Sequence, residues 1–137
     1  MYSKCGQFID GKWHPSADKA TYDVINPATE EIIGNASKAS TIDVDKALKS
    51  AAKGFEVWKK FSPWDRAAII RKIADLMRKK NNELAKWMTL ETGKTLAEGL
   101  AEVSGSADIF EWNAEETKRI YGQTVQSRFE DTRIIFV

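Results

Sequence analysis

Cysteine and histidine are almost absent from this sequence, which contains one of each, Cys5 and His14. A single thiol cannot form an intramolecular disulfide, and two isolated ligands argue against a zinc site built from thiolates and imidazoles. Cys5 follows polar residues and has no neighbouring base, so we interpret it as a surface thiol and not as a nucleophile. His14 precedes Pro15 in a turn-rich stretch, which predicts an exposed loop histidine. The sequence therefore predicts no metal site.

The sequence also lacks an excess of charge of one sign and a long apolar run. Its 21 basic residues nearly balance its 20 acidic residues, so no strong field attracts nucleic acid or an anionic membrane surface. No apolar run approaches the roughly 18 residues that suggest a transmembrane helix, and residues 1–6 lack the pattern of a secretory signal. Together with the single cysteine, these absences favour a cytoplasmic protein without nucleic-acid or membrane partners.

Local motifs for phosphate binding and for paired carboxylate catalysis are missing as well. No Gly-x-Gly-x-x-Gly or Walker-type loop occurs, so no local candidate exists for a phosphate cradle. Glu115 and Glu116 are adjacent, but neighbours on a helix point in different directions and cannot act on one substrate atom. We interpret such pairs as solvated. Trp58, Trp87 and Trp112 lie in or beside apolar helical stripes, which favours packing over base stacking.

What is present begins with two β-hairpins. Asp10 and Gly11 lie between apolar residues, and this dipeptide is a strong signal for a two-residue turn in which both central residues have positive φ. A second hairpin is predicted from two extended runs, residues 21–25 and 31–34. The turn between them contains Asn26, whose side chain can accept a hydrogen bond from its own turn.

From Thr41 onward the apolar period changes from two residues to 3.6, which predicts helices. We expect the first helix to begin with Thr41 or Asp43 as its cap. Ser62 predicts the start of a second helix, which ends at Gly93 and can bend near residues 81–82. A third helix, the longest, runs from about residue 95 to 121, with a terminating glycine at position 122. From these stripes we predict a core formed mostly by Val44, Leu48, Phe55, Ile69, Ile73, Leu76, Leu100, Val103 and Phe110.

The last part of the sequence predicts two strands, residues 124–127 and 133–137, around an acidic turn. Ile, Phe and Val favour strands, and the chain stops within such a run, which we interpret as a truncation. The length of 137 residues suits a single segment with a modest core. The predicted fold class is therefore α+β, with N-terminal β-hairpins, three amphipathic helices and a C-terminal strand pair.

Five short motifs in this order carry a resemblance to a known family. They are Phe-Ile-Asp-Gly-Lys-Trp at residues 8–13, Asn-Pro-Ala-Thr at 26–29, Trp58 with Arg66, Glu-Thr-Gly-Lys at 91–94, and Tyr-Gly at 121–122. Each motif alone is weak, but the series resembles the opening of NAD(P)-dependent aldehyde dehydrogenases. Residues 110–122 look most like the succinate-semialdehyde dehydrogenase branch.

The resemblance implies that residues 1–137 form the N-terminal segment of an incomplete α/β, Rossmann-like aldehyde dehydrogenase fold. The helices would cover one side of the dinucleotide-binding sheet, and the third helix would border the substrate tunnel. Residues 123–137 would begin the oligomerisation arm, so the implied partners are a second copy or the rest of the enzyme. Self-association is expected from the exposed apolar faces.

The resemblance also implies what this chain does not carry. In the family, a cysteine attacks the aldehyde, an asparagine helps to stabilise the oxyanion, hydride passes to NAD or NADP, and a glutamate activates water. None of these residues has a counterpart here. The sequence therefore predicts no catalytic, cofactor-binding or metal residue, and no cofactor in this chain.

Two other functions remain open from the sequence. The chain could be a self-standing helical interaction module derived from that family, since residues 133–137 offer a strand edge to a partner. Nucleic-acid binding rests on the tryptophan content alone.

Overall fold

The structure is a computed structural model that describes residues 2–137. It confirms the predicted α+β class, and its elements follow one another as strands, helices and strands. They are β1 (Tyr2–Cys5), β2 (Gln7–Ile9), β3 (Lys12–His14), β4 (Thr21–Ile25), β5 (Ile32–Ser37), α1 (Thr41–Trp58), α2 (Pro63–Lys79), α3 (Asn81–Thr92), α4 (Leu96–Glu116), a 3₁₀ turn (Thr117–Arg119), β6 (Gln123–Gln126) and β7 (Arg133–Phe136).

The first predicted hairpin is confirmed. Asp10 and Gly11 have φ angles of 53° and 76°, as a two-residue turn with two left-handed residues requires. β2 and β3 pair antiparallel, with Phe8 opposite Trp13 and their ring centroids 5.2 Å apart. His14 is exposed as predicted, but it lies in β3 and not in a loop, since it pairs with Gln7.

The second hairpin is also confirmed, and it gains a strand that we did not predict. Asn26 Oδ1 accepts a hydrogen bond of 3.0 Å from the Ala28 N–H, which closes the turn between β4 and β5. β5 pairs antiparallel with β4 and parallel with β1. β1 has no local pattern that marks it as a strand, because its partner lies about thirty residues away in the sequence. Cys5 is the half-buried last residue of β1.

The start of α1 differs from the prediction by one position. Ser40 is the N-cap, and Asp43 is the third helical residue of a capping box, so neither Thr41 nor Asp43 is the cap. The Asp43 N–H donates to Ser40 Oγ, and Asp43 Oδ2 accepts from the Ser40 N–H at 2.9 Å. This reciprocal arrangement satisfies the backbone groups that a helix start leaves unpaired.

The predicted second helix is two helices, so the described chain has four helices where we predicted three. α2 begins as expected, with Ser62 as N-cap and Pro63 in the first turn. It ends before Lys80, whose φ of −101° and ψ of 15° leave the helical region, next to the predicted bend. α3 ends at Gly93, which adopts the predicted left-handed conformation with a φ of 74°.

α4 is the longest helix, with 21 residues, as predicted. Thr95 caps its start, and Glu98 completes a second capping box. Its end differs from the prediction, because the helix tightens into the 3₁₀ turn (Thr117–Arg119) after Glu116. That turn satisfies the last carbonyl groups, and Gly122 is not among the described residues with positive φ.

The core consists mainly of alanines, and our predicted core is largely wrong. Of the nine predicted residues only Val103 is buried, and Leu100 is intermediate, while the other seven are 39% to 63% exposed. Trp112, predicted to pack, is 70% exposed. The buried apolar positions of the helices are Ala67, Ala74, Ala85, Val103, Ala107 and Ala114. Periodicity reveals that a helix has an apolar face, but the helices here meet through their small residues.

Gly99 shows how closely α3 and α4 approach each other. A Cβ atom placed on Gly99 would lie 3.0 Å from the Ala85 carbonyl oxygen and 3.3 Å from Thr89 Oγ1. The expectation that small residues allow close packing is therefore confirmed at this position. At Gly105 it is wrong, because a Cβ there meets no atom within 4 Å.

The two C-terminal strands form the predicted antiparallel pair. Gln123 is opposite Phe136, and Gln126 is opposite Arg133. Every residue of both strands is exposed. The pair therefore contributes no side chain to the buried core of the described chain.

Candidate functional site

Two arginines on α2 form the most prominent polar cluster of the structure. Arg71 pairs with Glu115 of α4, and Arg78 donates to Asp108 Oδ1 at 2.8 Å and to Glu111 Oε2 at 2.6 Å. The arginines are seven residues apart, as are Asp108 and Glu115, so the two helices run antiparallel with matching heptad spacing. These ion pairs hold α2 against α4 along the edge of the alanine contact.

Lys118 and Trp64 extend this cluster to the start of α2. Lys118 Nζ lies 3.5 Å from Glu115 Oε2 and 4.6 Å from the centroid of the Trp64 ring. The Arg71 guanidinium is the main cause that lowers the pKa of Glu115 below its ordinary value, with Lys118 contributing. Glu115 is therefore held as a charged partner of two cations, which corrects our interpretation of Glu115 and Glu116 as simply solvated.

Arg78 is held in its charged form in the same way. Hydrogen bonds first to Asp108 and then to Glu111 raise the pKa of Arg78 above its ordinary value. Neither Arg71 nor Arg78 is adjacent to a nucleophile, because the only thiol lies in β1. We therefore interpret this cluster as a structural link between α2 and α4 and not as a site of proton transfer.

Asp43 is a buried charged residue, with 4% of its surface exposed. Besides its contacts with Ser40, Asp43 accepts hydrogen bonds from the Ala17 N–H at 3.1 Å and lies 3.1 Å from Ser16 Oγ. The hydrogen bonds from Ser40, then the one from Ala17, hold the pKa of Asp43 well below its usual range. Asp43 thus clamps the loop after β3 to the start of α1.

Cys5 and His14 line one cavity of about 700 Å³, together with Trp13 and Asn35. The sequence analysis placed them in separate roles and did not predict this proximity. No hydrogen bond joins them in the part of the chain that the structure describes. In residues 2–137 there is also no group of three or more His, Cys, Asp or Glu side chains that could hold a metal ion.

Two of the motifs singled out in the sequence contact each other. A Cβ on Gly93, within the Glu-Thr-Gly-Lys motif, would lie 3.0 Å from Pro27 Cγ of the Asn-Pro-Ala-Thr turn. The positive φ of Gly93 and this close approach both favour glycine. Lys94 of the same motif pairs with Glu102 of α4. Gly93 and Pro27 of these two motifs therefore have a packing role.

The cluster and the clamp could have been found from the sequence by specific signals. Ser40 and Asp43 have capping-box spacing, and the arginines and acids of α2 and α4 repeat at seven residues. Neither signal specifies which elements contact each other, so the contact of Asp43 with Ala17 could not be predicted from the sequence. Across residues 2–137, no helix combines the length and the apolar character of a membrane span.

Comparison with known proteins gives a consistent result. A family model described as "Aldehyde dehydrogenase family" matches residues 13–137. The chain is 38% identical over 130 residues to a glutarate-semialdehyde dehydrogenase of Pseudomonas putida, covering 95% of this chain and 27% of that protein. It is 36% identical over 129 residues to the succinate-semialdehyde dehydrogenase [NADP(+)] of Escherichia coli, covering 94% and 27%.

Solved structures show the same likeness. The fold superposes on an NADP-dependent enzyme of E. coli with a TM-score of 0.91 and 35% identity, covering 97% of this chain and 28% of that chain. It also superposes on betaine aldehyde dehydrogenase from Staphylococcus aureus, a structure in complex with NAD⁺, with a TM-score of 0.87 and 34% identity, covering 93% and 26%. The chain thus spans about a quarter of the length of these relatives.

Proposed function

Because the chain belongs to the aldehyde dehydrogenase family, we propose that it is the N-terminal structural segment of an NAD(P)-dependent semialdehyde dehydrogenase. The complete enzyme would oxidise an aldehyde such as succinate semialdehyde to its carboxylic acid, with transfer of a hydride to NAD⁺ or NADP⁺. The observation that carries this proposal is the likeness, over nearly the whole chain, to glutarate- and succinate-semialdehyde dehydrogenases.

We propose that residues 1–137 by themselves are catalytically inactive. Aldehyde oxidation needs an activated nucleophile, a base for water and a site for the nicotinamide. Cys5 has no hydrogen-bonded base among the described residues, and three acids of α4, Asp108, Glu111 and Glu115, are bound to Arg71 or Arg78. The described residues therefore include no thiol that a neighbouring base activates for attack on an aldehyde.

The test is an assay of aldehyde-dependent NAD⁺ or NADP⁺ reduction by purified residues 1–137. We expect no rate above a heat-denatured control with succinate or glutarate semialdehyde, and no change with Cys5→Ala. A rate above the control that Cys5→Ala removes would contradict the inactivity of the segment. The family membership would be unaffected by that result, since it rests on sequence and fold.

The segment would then act as a scaffold. Ile73 and Leu76 lie in α2 at helical spacing, and they are 39% and 48% exposed. We propose that this stripe packs against the rest of the enzyme, and that β6 and β7 take part in contacts between subunits. Covering such a stripe would stabilise the assembly, because each large side chain contributes about 1.5–3 kcal/mol when fully buried.

A second candidate, a self-standing interaction module, is favoured by the exposure of β7. Ile134, Ile135 and Phe136 are 45% to 66% exposed, and within residues 2–137 β7 pairs with no strand besides β6. We expect residues 1–137 to form oligomers through β7, because both an open strand edge and apolar side chains favour pairing. Light scattering should give a mass above that of the monomer, and Phe136→Asp should lower it. A monomer at high concentration would contradict this expectation.

We also propose a cytoplasmic location, which the single free thiol favours. Cell fractionation with an antibody against residues 1–137 tests this location. Recovery in a membrane or organelle fraction would contradict it.

A further inference from the structure

Four lysines line a cavity of about 700 Å³ between α1, the β2–β3 hairpin and the loop after β3. Lys46, Lys49 and Lys53 are spaced three and four residues apart, so they share one face of α1. Lys19 faces them from the loop, where its N–H donates to the Ser16 carbonyl at 2.9 Å and its φ is 59°. The loop is held in this position by the Asp43 clamp described above.

The charges around this cavity are not balanced. None of the four ammonium groups has an ion pair or a hydrogen bond within residues 2–137, whereas Lys94 and Lys118 pair with glutamates of α4. The lining contains two carboxylates, Asp10 and Asp43. The oxygens of Asp43 already accept hydrogen bonds from Ser40 and Ala17. An anion in the cavity would therefore be attracted by four lysines and repelled mainly by Asp10, because the Asp43 carboxylate is already hydrogen-bonded.

The cavity continues along α1 into an apolar groove. The groove has a volume of about 460 Å³ and shares Asp10, Ser50 and Lys53 with the cationic cavity. Its lining also includes Trp58, Phe61 and Ile69 of α2. The rings of Trp58 and Phe61 lie 5.8 Å apart, with planes inclined by 31°. We call the cavity and the groove together the α1 cleft.

The cationic and the aromatic parts of the α1 cleft lie at different positions along α1. Trp58 lies nine residues after Lys49 in α1, which corresponds to about 14 Å along the helix axis. Gly54 lies between them in the lining of the groove, and a Cβ there would meet no atom within 4 Å. The middle of the cleft is thus open for a ligand that reaches both ends.

We propose that the α1 cleft binds a nucleotide, with its phosphates among Lys19, Lys46, Lys49 and Lys53 and its base against Trp58 and Phe61. Lysines attract phosphate groups as point charges, and aromatic side chains stack on bases of any sequence. A ligand with a phosphate chain at one end and a planar ring at the other matches both parts of the cleft. This proposal does not depend on the dehydrogenase function, because it uses only residues of this chain.

Isothermal titration of residues 1–137 with ATP and with inorganic tripolyphosphate tests the proposal. We expect saturable binding of one ATP per chain, and at least fivefold weaker binding of tripolyphosphate, which carries no base. Lys49→Gln with Lys53→Gln should weaken ATP binding at least tenfold. The matched control, Lys72→Gln with Lys79→Gln on α2, removes the same charge from exposed positions outside the cleft and should stay within twofold of the wild type.

The aromatic part of the cleft is tested by Trp58→Leu. This variant should lose the preference for ATP over tripolyphosphate and keep the affinity for tripolyphosphate within twofold. Circular dichroism of each variant checks that the helices remain folded. The absence of saturable ATP binding overturns the proposal, as does equal weakening by the cleft variant and the α2 control. Equal affinity of the wild type for ATP and tripolyphosphate overturns it too.

Discussion

The α2–α4 helices and α1 are all amphipathic, but they use their apolar faces differently. α2, α3 and α4 contact one another through buried Ala67, Ala85 and Ala107. α1 has one buried residue, Asp43, and its apolar residues Leu48 and Phe55 are 63% and 61% exposed. An amphipathic pattern thus indicates that a helix has a face to bury, while the size of the residues on that face decides how closely a partner approaches.

The two regions are also held by different interactions. In the α2–α4 region, close packing at Gly99 is combined with ion pairs from Arg71 and Arg78. α1 is held to its neighbours by the hydrogen bonds of Asp43 with Ser16 and Ala17. We therefore expect core substitutions to act mainly in the first region and capping substitutions mainly in the second.

The largest effect is expected from enlarging an alanine in the helix contact. Ala107→Leu should lower the free energy of unfolding by about 1–3 kcal/mol or more, because Ala107 has no exposed surface and an added isobutyl group must displace its neighbours. Leu48→Ala on exposed α1 should change it by less than about 0.5 kcal/mol. Urea unfolding of both variants measures the difference, and equal losses would break the distinction between the two regions.

Two glycines of α4 should respond differently to substitution by alanine. Gly105→Ala should stabilise the protein by about 0.5–1 kcal/mol, since alanine favours a helix and the added methyl group enters open space. Gly99→Ala should be about 1–3 kcal/mol less stable than Gly105→Ala, because its methyl group meets the Ala85 carbonyl. Thermal unfolding of the matched pair provides the test. Equal stability would mean that α3 and α4 do not approach as closely as described.

The cap of α1 should have a smaller, local effect. Ser40→Ala should cost about 1 kcal/mol, because it removes the side-chain partner of the Asp43 N–H. Thr41→Ala, next to the cap, should change the stability by less than about 0.5 kcal/mol. Helicity at 222 nm during thermal unfolding reports the loss. A larger loss of stability for Thr41→Ala than for Ser40→Ala would contradict Ser40 as the N-cap and favour Thr41, as the sequence alone suggested.

Acid should weaken the clamp of α1 through Asp43. The pKa of Asp43 in the folded protein lies below its ordinary value of 3.8, so its charged form stabilises the fold above about that pH. The contribution is lost as the pH falls below 3.8 toward the folded value. Asp43→Asn should therefore be less stable at neutral pH and show a shallower loss between pH 5 and pH 2 than Asp45→Asn, the exposed control. Identical pH profiles of the two variants would contradict the clamp.

Local chemistry explains which features could be predicted from the sequence. Asp10 and Gly11 form their turn, Ser62 caps α2, and Gly93 ends α3, because each acts within a few residues of itself. The prediction that Gly122 ends the last long helix was wrong, because α4 is followed by a 3₁₀ turn that ends three residues before Gly122. In each case the outcome depends on neighbours in the sequence, and competing local structures differ by only a few hydrogen bonds.

Tertiary contacts explain the features that could not be predicted. β1 pairs with β5, so the first hairpin and β4 lie between the two paired strands in the sequence, and Asp43 contacts Ala17, which lies 26 residues earlier. The predicted core residues Ile73 and Phe110 are 39% exposed because the helices meet through alanines instead. Hydrophobic periodicity favours the largest apolar residues, so it could not identify a contact made by the smallest ones.

Residue-resolved hydrogen exchange by NMR tests the comparison of the two regions most directly. We expect the amides in the middle of α4, around Val103 and Ala107, to exchange at least a hundredfold more slowly than those around Leu48 in α1. Slow exchange reflects the larger free energy needed to open a helix whose face is buried. Equal protection of α1 and α4 would contradict the account, since both helices would then be equally stabilised by contacts within this chain.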